Sequence, residues 1–187
     1  MDTNQNKQSY ALPIAMMFAL FFMIAFVTGL QNPMGVIVKN QFQASNLLSQ
    51  LGNFANFIAY AFMGIPAGLM LQKIGYKKTA LTAILVGIAG VAITFFSGKI
   101  ESFAVYLIGA FVGGFSMCML NTVVNPLLNT LGGGGKKGNQ LIQTGGSLNS
   151  LSATIVPVLV GYLMGANVEE RTIAKALPAL YIAMAIF

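Results

Sequence analysis

Charged residues divide this chain into long, uncharged, apolar stretches. These stretches cover residues 8–38, 40–72, 79–98, 102–135, 138–168 and 176–187. A helix rises about 1.5 Å per residue, so about 20 apolar residues cross the roughly 30 Å hydrocarbon core of a bilayer. Five stretches are long enough, and they lack the alternation of membrane-spanning β-strands. The pattern predicts helices at 12–38, 47–72, 79–97, 102–131, 139–165 and 172–187.

Composition supports a membrane protein and excludes several other classes. The chain is 56% hydrophobic and 7% charged, with a mean hydropathy of +0.76, whereas soluble domains are about 25% charged. A single cysteine, Cys118, and the absence of histidine exclude a disulfide scaffold and a zinc site. The net charge of +6 comes without a basic stripe, so no nucleic-acid partner is expected. We find no catalytic constellation or phosphate-binding loop, which predicts a protein that is not an enzyme and needs no cofactor.

The two ends of the sequence predict a piece of a larger membrane protein. Residues 1–11 are predicted to be a cytoplasmic tail, and the first helix is retained because no signal-peptide cleavage site follows it. The last stretch stops at Phe187 without a polar exit, so we expect a truncated sixth helix.

Lysines indicate the orientation in the membrane, because cytoplasmic loops carry an excess of positive charge. A cytoplasmic N-terminus places six lysines inside, with only Asp2 to offset them: Lys7, Lys73, Lys77, Lys78, Lys136 and Lys137. The outer segments then carry Lys39, Lys99, Arg171 and Lys175, together with Glu101, Glu169 and Glu170.

Amide side chains recur on single faces of four predicted helices. Gln31 and Asn32 precede Pro33 in the first; Asn53, Asn56 and Tyr60 share a face of the second; Asn121, Asn125 and Asn129 share a face of the fourth; and Gln140, Gln143, Ser147, Ser150 and Thr154 form a stripe on the fifth. Hydrogen bonding between helices explains any one of these residues, at about 0.6 kcal/mol per pair. Four such faces together favour a shared, water-filled cavity. Glycines four residues apart, such as Gly64 and Gly68 or Gly109 and Gly113, predict close helix packing.

The predicted ligand of this cavity is a neutral, hydroxyl-rich solute. Amides donate and accept hydrogen bonds, which suits sugar hydroxyls, and the interiors of the predicted helices carry no charge. Aromatic rings could pack against the sugar: Phe26, Phe54, Phe57, Tyr60, Phe62 and Phe115. Pro33 and Pro126 lie in amide-rich helices, where kinks would free backbone carbonyls. The glycine run at 132–135 predicts a flexible connector between the fourth and fifth helices.

Several segments resemble known transporters. Residues 68–78 (GLMLQKIGYKK) resemble the loop between the second and third helices of the major facilitator superfamily. FVTGLQNPM at 26–34, IPAG at 65–68, LNTVVNP at 120–126 and Gln140 to Gln143 resemble its L-fucose and glucose/galactose symporter family.

This resemblance implies an all-α, polytopic transmembrane bundle of six helices, the N-terminal half of a major facilitator fold at 12–187, with the C-terminal half missing. It places a family glutamate at Asn121, an aspartate at Gly29, a glutamine at Gln143 and an asparagine at Gly146. Neither Gly29 nor Asn121 can titrate near neutral pH. We therefore expect facilitated or sodium-linked transport rather than proton coupling through this half.

The resemblance implies a monosaccharide transporter of the fucose/glucose/galactose class, secondary active or facilitative, working by alternating access in a bacterial-type inner membrane. Its predicted partners are a neutral sugar, a Na⁺ or H⁺ coupling ion where one is used, the lipid bilayer and the second half of the chain. The predicted substrate-binding residues are Gln31, Asn32, Asn53, Asn56, Asn121, Asn125 and Gln143. The alternative is a small membrane scaffold, or a half-size carrier that dimerises.

Overall fold

The computed structural model of the chain describes residues 10–164, 172–173 and 175–186, without the side chains of Asn32 and Met164. The described residues form helices and turns only, which confirms the all-α prediction. The helices are α1 (Ala11–Gln41), α2 (Asn46–Ser49), α3 (Leu51–Lys99), α4 (Phe103–Leu131), α5 (Gly135–Met164) and α6 (Leu177–Ile186).

Four of these helices are long and apolar enough to cross a membrane: α1, α3, α4 and α5. α3 has 49 residues, about 74 Å of helix, which is enough for two crossings. It corresponds to the second and third predicted helices.

α3 changes direction at Gly75, where the backbone takes φ 77° and ψ 172°. This left-handed φ is open to glycine at little cost. We call residues 51–74 the first arm of α3 and residues 76–99 its second arm. The prediction of two separate helices joined by a short segment at 73–78 was wrong in its boundaries, because helical structure continues up to Gly75 and resumes directly after it.

The first arm runs parallel to α4. Asn56 of this arm contacts Ala110, and Tyr60, one turn later, contacts Asn121 further along α4. Residue numbers therefore rise in the same direction along both helices.

The second arm runs antiparallel to α4. Thr94 lies against Gly109, while Ala83, nearer the start of the arm, accepts a hydrogen bond from Ser116 further along α4. The two arms of α3 therefore form an antiparallel pair, and both pack on α4.

Small residues allow these helices to approach closely. A β-carbon added at Gly90 would lie 2.8 Å from the backbone nitrogen of Gly113. This confirms the packing predicted for the pair Gly109 and Gly113. Gly64 and Gly68 have open space at their β-carbon positions, so their predicted packing role is not seen within the described residues.

α1 and α5 form a second close pair and run parallel. Gly145 of α5 lies against Phe21, and further along both helices Gly29 of α1 lies against Val156. Pro33 and Pro126, the two predicted break points, each lie inside a continuous helix.

The connection between α4 and α5, where the sequence predicts a flexible connector, is a short turn. Gly133, Gly134 and Gly135 all have positive φ, and α5 begins at Gly135, earlier than predicted. At the other end of the bundle, α6 begins at Leu177, later than predicted, after a turn at Thr172 and Ile173.

The two ends of the bundle differ in charge. One end carries only cations among its described residues: Lys73, Lys77, Lys78, Lys136 and Lys137. The other carries Lys39, Lys99, Glu101 and Lys175, and there Gln41 links the helices by donating to the Gly98 carbonyl and accepting from the Ile173 backbone N–H. The charge separation expected from the sequence is thus present along the bundle axis.

Candidate functional site

Asn121 and Asn125 lie on a partly exposed face of α4. The adjacent face of this helix, which includes Leu120, Val124 and Leu128, is fully buried in the bundle. Asn121 Nδ2 donates to the Met117 carbonyl at 3.1 Å, and Asn125 Nδ2 donates to the Asn121 carbonyl at 3.1 Å. These local bonds hold both amides close to the helix. The side-chain oxygens, Oδ1 of Asn121 and of Asn125, accept no hydrogen bond from the described residues.

Tyr60, on the first arm of α3, joins this amide face. Its hydroxyl oxygen accepts a hydrogen bond from Asn121 Nδ2 at 2.9 Å. The sequence placed Tyr60 on one face with Asn53 and Asn56, and proposed it as an aromatic wall. Its pairing with Asn121 was missed, since helical spacing says nothing about which neighbouring helix a face will meet.

α5 presents an exposed polar stripe. All five predicted members are exposed: Gln140, Gln143, Ser147, Ser150 and Thr154. The hydroxyls of Ser147 and Ser150 donate to carbonyls one turn back, at 2.9 and 3.0 Å. The Gln143 amide bonds to no residue in the described part of the chain. Because lipid cannot satisfy such groups, this stripe requires a polar neighbour or water.

An open hollow of about 610 Å³ lies on this stripe. It is lined by Ile142, Gln143, Gly146, Ser147 and Ser150. Gly146 has free space at its β-carbon position.

Gln31 and Asn56 line a different, internal cavity. It lies between α1, both arms of α3, α4 and α6, and its volume is about 70 Å³. Asn56 is 5% exposed, and its Nδ2 donates to the Ala110 carbonyl of α4 at 3.3 Å. This is the helix-to-helix bond that the alternative interpretation of the amides predicted.

The same cavity carries two polar groups that the sequence analysis did not single out. Thr94 donates its hydroxyl hydrogen to the Gly90 carbonyl at 3.0 Å. Tyr106 is 5% exposed, with its hydroxyl beside Gly52, and this hydroxyl bonds to no residue in the described ranges. Tyr106 stands alone in an apolar segment, so no spacing signal could have found it.

Asn53 belongs neither to the amide face of α4 nor to the internal cavity. Asn53 donates to the Gln50 side chain at 2.7 Å, an exposed local bond. The side chain of Asn32 lies outside the described residues. Asn129 donates to Asn139 at 3.2 Å and so ties the end of α4 to the start of α5.

The phenylalanines proposed as a sugar-stacking wall differ in their surroundings. Phe26 is buried in the core, so its predicted availability to a ligand was wrong. Phe54, Phe57 and Phe62 are strongly exposed on the first arm, and Phe115 packs against Phe111.

Gly29, where the resemblance places a family aspartate, is a helix contact. A β-carbon built there would lie 2.7 Å from Val156 Cβ and 2.9 Å from its Cγ1. Real β-carbons do not approach so closely, so α1 and α5 leave no room for a carboxylate at this position. Among the described residues no group of three His, Cys, Asp or Glu side chains could hold a metal ion.

The sequence profile described as Major Facilitator Superfamily matches residues 17–187. This chain belongs to the major facilitator superfamily. The assignment confirms the class expected from the motifs at 26–34, 68–78 and 120–126.

Curated relatives of this superfamily member are named as sugar transporters. A glucose/galactose transporter of Brucella abortus biovar 1 (strain 9-941) is 28% identical over 185 residues, which cover 96% of this chain and 45% of the relative. The L-fucose-proton symporter of Escherichia coli (strain K12) is 26% identical over 171 residues, covering 91% of this chain and 39% of the relative. The chain thus spans less than half the length of these relatives.

A solved structure shows the same fold. The crystal structure of an asparagine-to-alanine variant of the E. coli fucose:proton symporter superposes with a TM-score of 0.74 at 23% identity, covering 96% of this chain and 47% of that chain. The described helices therefore have the arrangement of about half of a major facilitator transporter.

Proposed function

We propose that this chain forms the first six helices of a monosaccharide transporter that works by alternating access. The observation that carries the proposal is the exposed polar stripe of α5 beside the partly exposed amides of α4. A membrane cannot cover such a surface, whereas a second half of the carrier facing it across water can. The printed names of the relatives, glucose/galactose transporter and L-fucose-proton symporter, support a sugar as the solute.

The chemistry of the two faces favours a neutral substrate. Asn121, Asn125 and Gln143 offer amide groups, and Ser147 and Ser150 offer hydroxyl oxygens. The described charged side chains lie at the ends of the bundle, so they leave the middle of the helices uncharged. Sugar hydroxyls both donate and accept, and amides can meet both needs.

We assign direct substrate contact to Asn121, Asn125 and Gln143. Gln31 and Asn56 belong to the wall of the internal cavity, where their effect on transport is smaller, while Asn32 and Asn53 remain predicted members of the substrate path. The internal cavity, at about 70 Å³, is well below the roughly 300–1,000 Å³ of ordinary ligand sites.

Coupling to protons through this half is not expected. The positions at which the resemblance places carboxylates hold Gly29, packed on Val156, and Asn121, and neither titrates near neutral pH. Facilitated or sodium-linked uptake follows. Alkalinisation of the medium on adding sugar that no substitution in the second half abolishes would contradict this part of the proposal.

The lysine-rich end supports a cytoplasmic N-terminus, with the protein in a bacterial-type inner membrane. Lys77, Lys78, Lys136 and Lys137 then meet the cytoplasmic headgroups, as the positive-inside rule requires.

The test is sugar uptake by cells that express the complete reading frame encoding this chain. Asn121→Ala and Gln143→Ala should each lower uptake by at least about tenfold, the effect of losing a hydrogen bond of about 1.4 kcal/mol. Asn46→Ala is the matched control, since Asn46 is an exposed amide at the start of α2 whose side chain bonds to no described residue. Membrane abundance, measured by immunoblot, should be equal in all variants. Normal uptake in both test variants would refute the site.

A further inference from the structure

The orientation of the Asn121 amide is determined by its neighbours. Its Nδ2 lies 3.1 Å from the Met117 carbonyl oxygen. A carbonyl oxygen only accepts hydrogen bonds, so the amide nitrogen, and not the amide oxygen, must face it. The second N–H of this group then points to the Tyr60 hydroxyl oxygen at 2.9 Å.

This arrangement uses both hydrogens of the Asn121 amide. Tyr60 accepts in the bond, so its own O–H hydrogen remains available for another acceptor. Asn121 Oδ1 receives no hydrogen bond from any described residue. Both side chains keep part of their surface exposed. The pair therefore offers one free donor, the Tyr60 O–H, and one free acceptor, Asn121 Oδ1.

The pair is mounted on closely packed helices. Next to Tyr60, Ala59 lies against Gly114 of α4, where a β-carbon would be 2.6 Å from Ala59 Cβ. Cys118 Sγ lies 3.7 Å from the Tyr60 carbonyl oxygen. The first arm of α3 cannot shift along α4 without breaking these contacts, so the spacing of the free donor and the free acceptor is set by the backbone.

We propose that Tyr60 is a specificity-determining residue, and that its O–H together with Asn121 Oδ1 binds one hydroxyl group of the sugar. A hydroxyl can accept from Tyr60 and donate to Asn121 at the same time, whereas a deoxy position can do neither and a fluorine can only accept weakly. The inference rests on the proposed sugar transport and adds which groups select the substrate.

The experiment measures competition for uptake by cells that express the complete reading frame. The competitors are the monodeoxy and monofluoro derivatives of a transported sugar. In the natural sequence, removal of one particular hydroxyl should weaken competition by about 10-fold or more, because it leaves the Tyr60 and Asn121 groups unpaired. Fluorine at that position should weaken it as well.

Tyr60→Phe should weaken competition by the parent sugar but not by that deoxy derivative. The ratio of their inhibition constants should therefore fall to within about threefold. Tyr181→Phe, a Tyr-to-Phe change on α6, is the matched control and should keep the original ratio, because Tyr181 packs on Phe95 away from the amide face. A merely structural role of Tyr60 would lower uptake of every derivative equally.

Asn121→Asp provides a second test if Tyr60→Phe fails to reach the membrane. The new carboxylate accepts the Tyr60 hydrogen, which removes the free donor, and discrimination at the same position should again collapse. Unchanged discrimination in whichever variant is inserted would overturn the inference. Absence of sugar uptake by the natural sequence would instead refute the proposed function.

Discussion

Amides occur in two regions of this bundle, and their surroundings differ sharply. Around the internal cavity, Asn56 is buried and bonded to the α4 backbone. On the open face, Gln143 is exposed and unbonded within the described residues, and Asn121 keeps a free oxygen. The same residue type thus joins helices in one region and presents unused hydrogen-bonding groups in the other. The free hydrogen-bonding capacity of an amide, and not its presence, distinguishes a candidate ligand site from a packing contact.

The two regions also differ in size. The internal cavity of about 70 Å³ has room for a few water molecules, whereas the hollow on α5 is about 610 Å³ and open. Only the second reaches the roughly 300–1,000 Å³ of ordinary ligand sites. Polarity in the first region therefore stabilises the half-bundle, and polarity in the second is available to a solute.

The largest expected effect is on membrane abundance, and it compares a substitution in the contact between α1 and α5 with one on the open face of α5. Gly29→Asp should sharply reduce membrane abundance, because its side chain meets Val156 and overpacking alone costs about 1–3 kcal/mol. Gly146→Asn, on the open face, should insert at the natural level. Immunoblots of membrane fractions check both, and equal abundance of the two variants would contradict the comparison. Adding Val156→Gly to the Gly29→Asp variant should partly restore its membrane abundance.

A smaller effect separates the two kinds of amide. Asn56→Ala should lower the stability of the purified carrier by about 0.5–1.5 kcal/mol, since it loses the bond to Ala110 and enlarges the cavity. Gln143→Ala should leave the melting temperature unchanged while uptake falls. Loss of uptake in Asn56→Ala at an unchanged melting temperature would instead place Asn56 on the substrate path.

The smallest effect concerns the unpartnered hydroxyl in the cavity. Tyr106→Phe should change stability by less than about 1 kcal/mol, because the hydroxyl bonds to no described residue. Ser116→Ala is the comparison, since this buried hydroxyl donates to the Ala83 carbonyl at 2.6 Å. Thermal unfolding in detergent should show the larger loss for Ser116→Ala. The reverse order would show that the Tyr106 hydroxyl has a stabilising partner.

The sequence predicted the fold more completely than the candidate site. Charge spacing located the spanning segments, because hydrocarbon excludes charge, and the motifs identified the superfamily. The reversal was predicted within 73–78, but its restriction to Gly75 and the start of α5 at Gly135 were missed, since a glycine in a sequence does not show which φ it adopts.

At the candidate site, helical spacing predicted the shared face of Asn121 and Asn125, which is partly exposed, and the stripe of Gln143, which is exposed. It could not separate Asn56 from them, because spacing does not give the rotation of one helix against another. The packing of Gly29 on Val156 was equally invisible, since it joins residues far apart in the chain. Such contacts decide whether a residue is buried between helices or exposed to a ligand.

The corner between α4 and α5 restricts how this half can move. α4 ends at Leu131 and α5 begins at Gly135, so residues 132–134 join the two helices, and Gly133, Gly134 and Gly135 all have positive φ. Asn129 donates to Asn139 across this corner, so a side-chain bond as well as a short turn links the end of α4 to the start of α5. In the proposed carrier, we expect the amides of α4 and Gln143 of α5 to move together, keeping their mutual distance while their distance to an opposing surface changes.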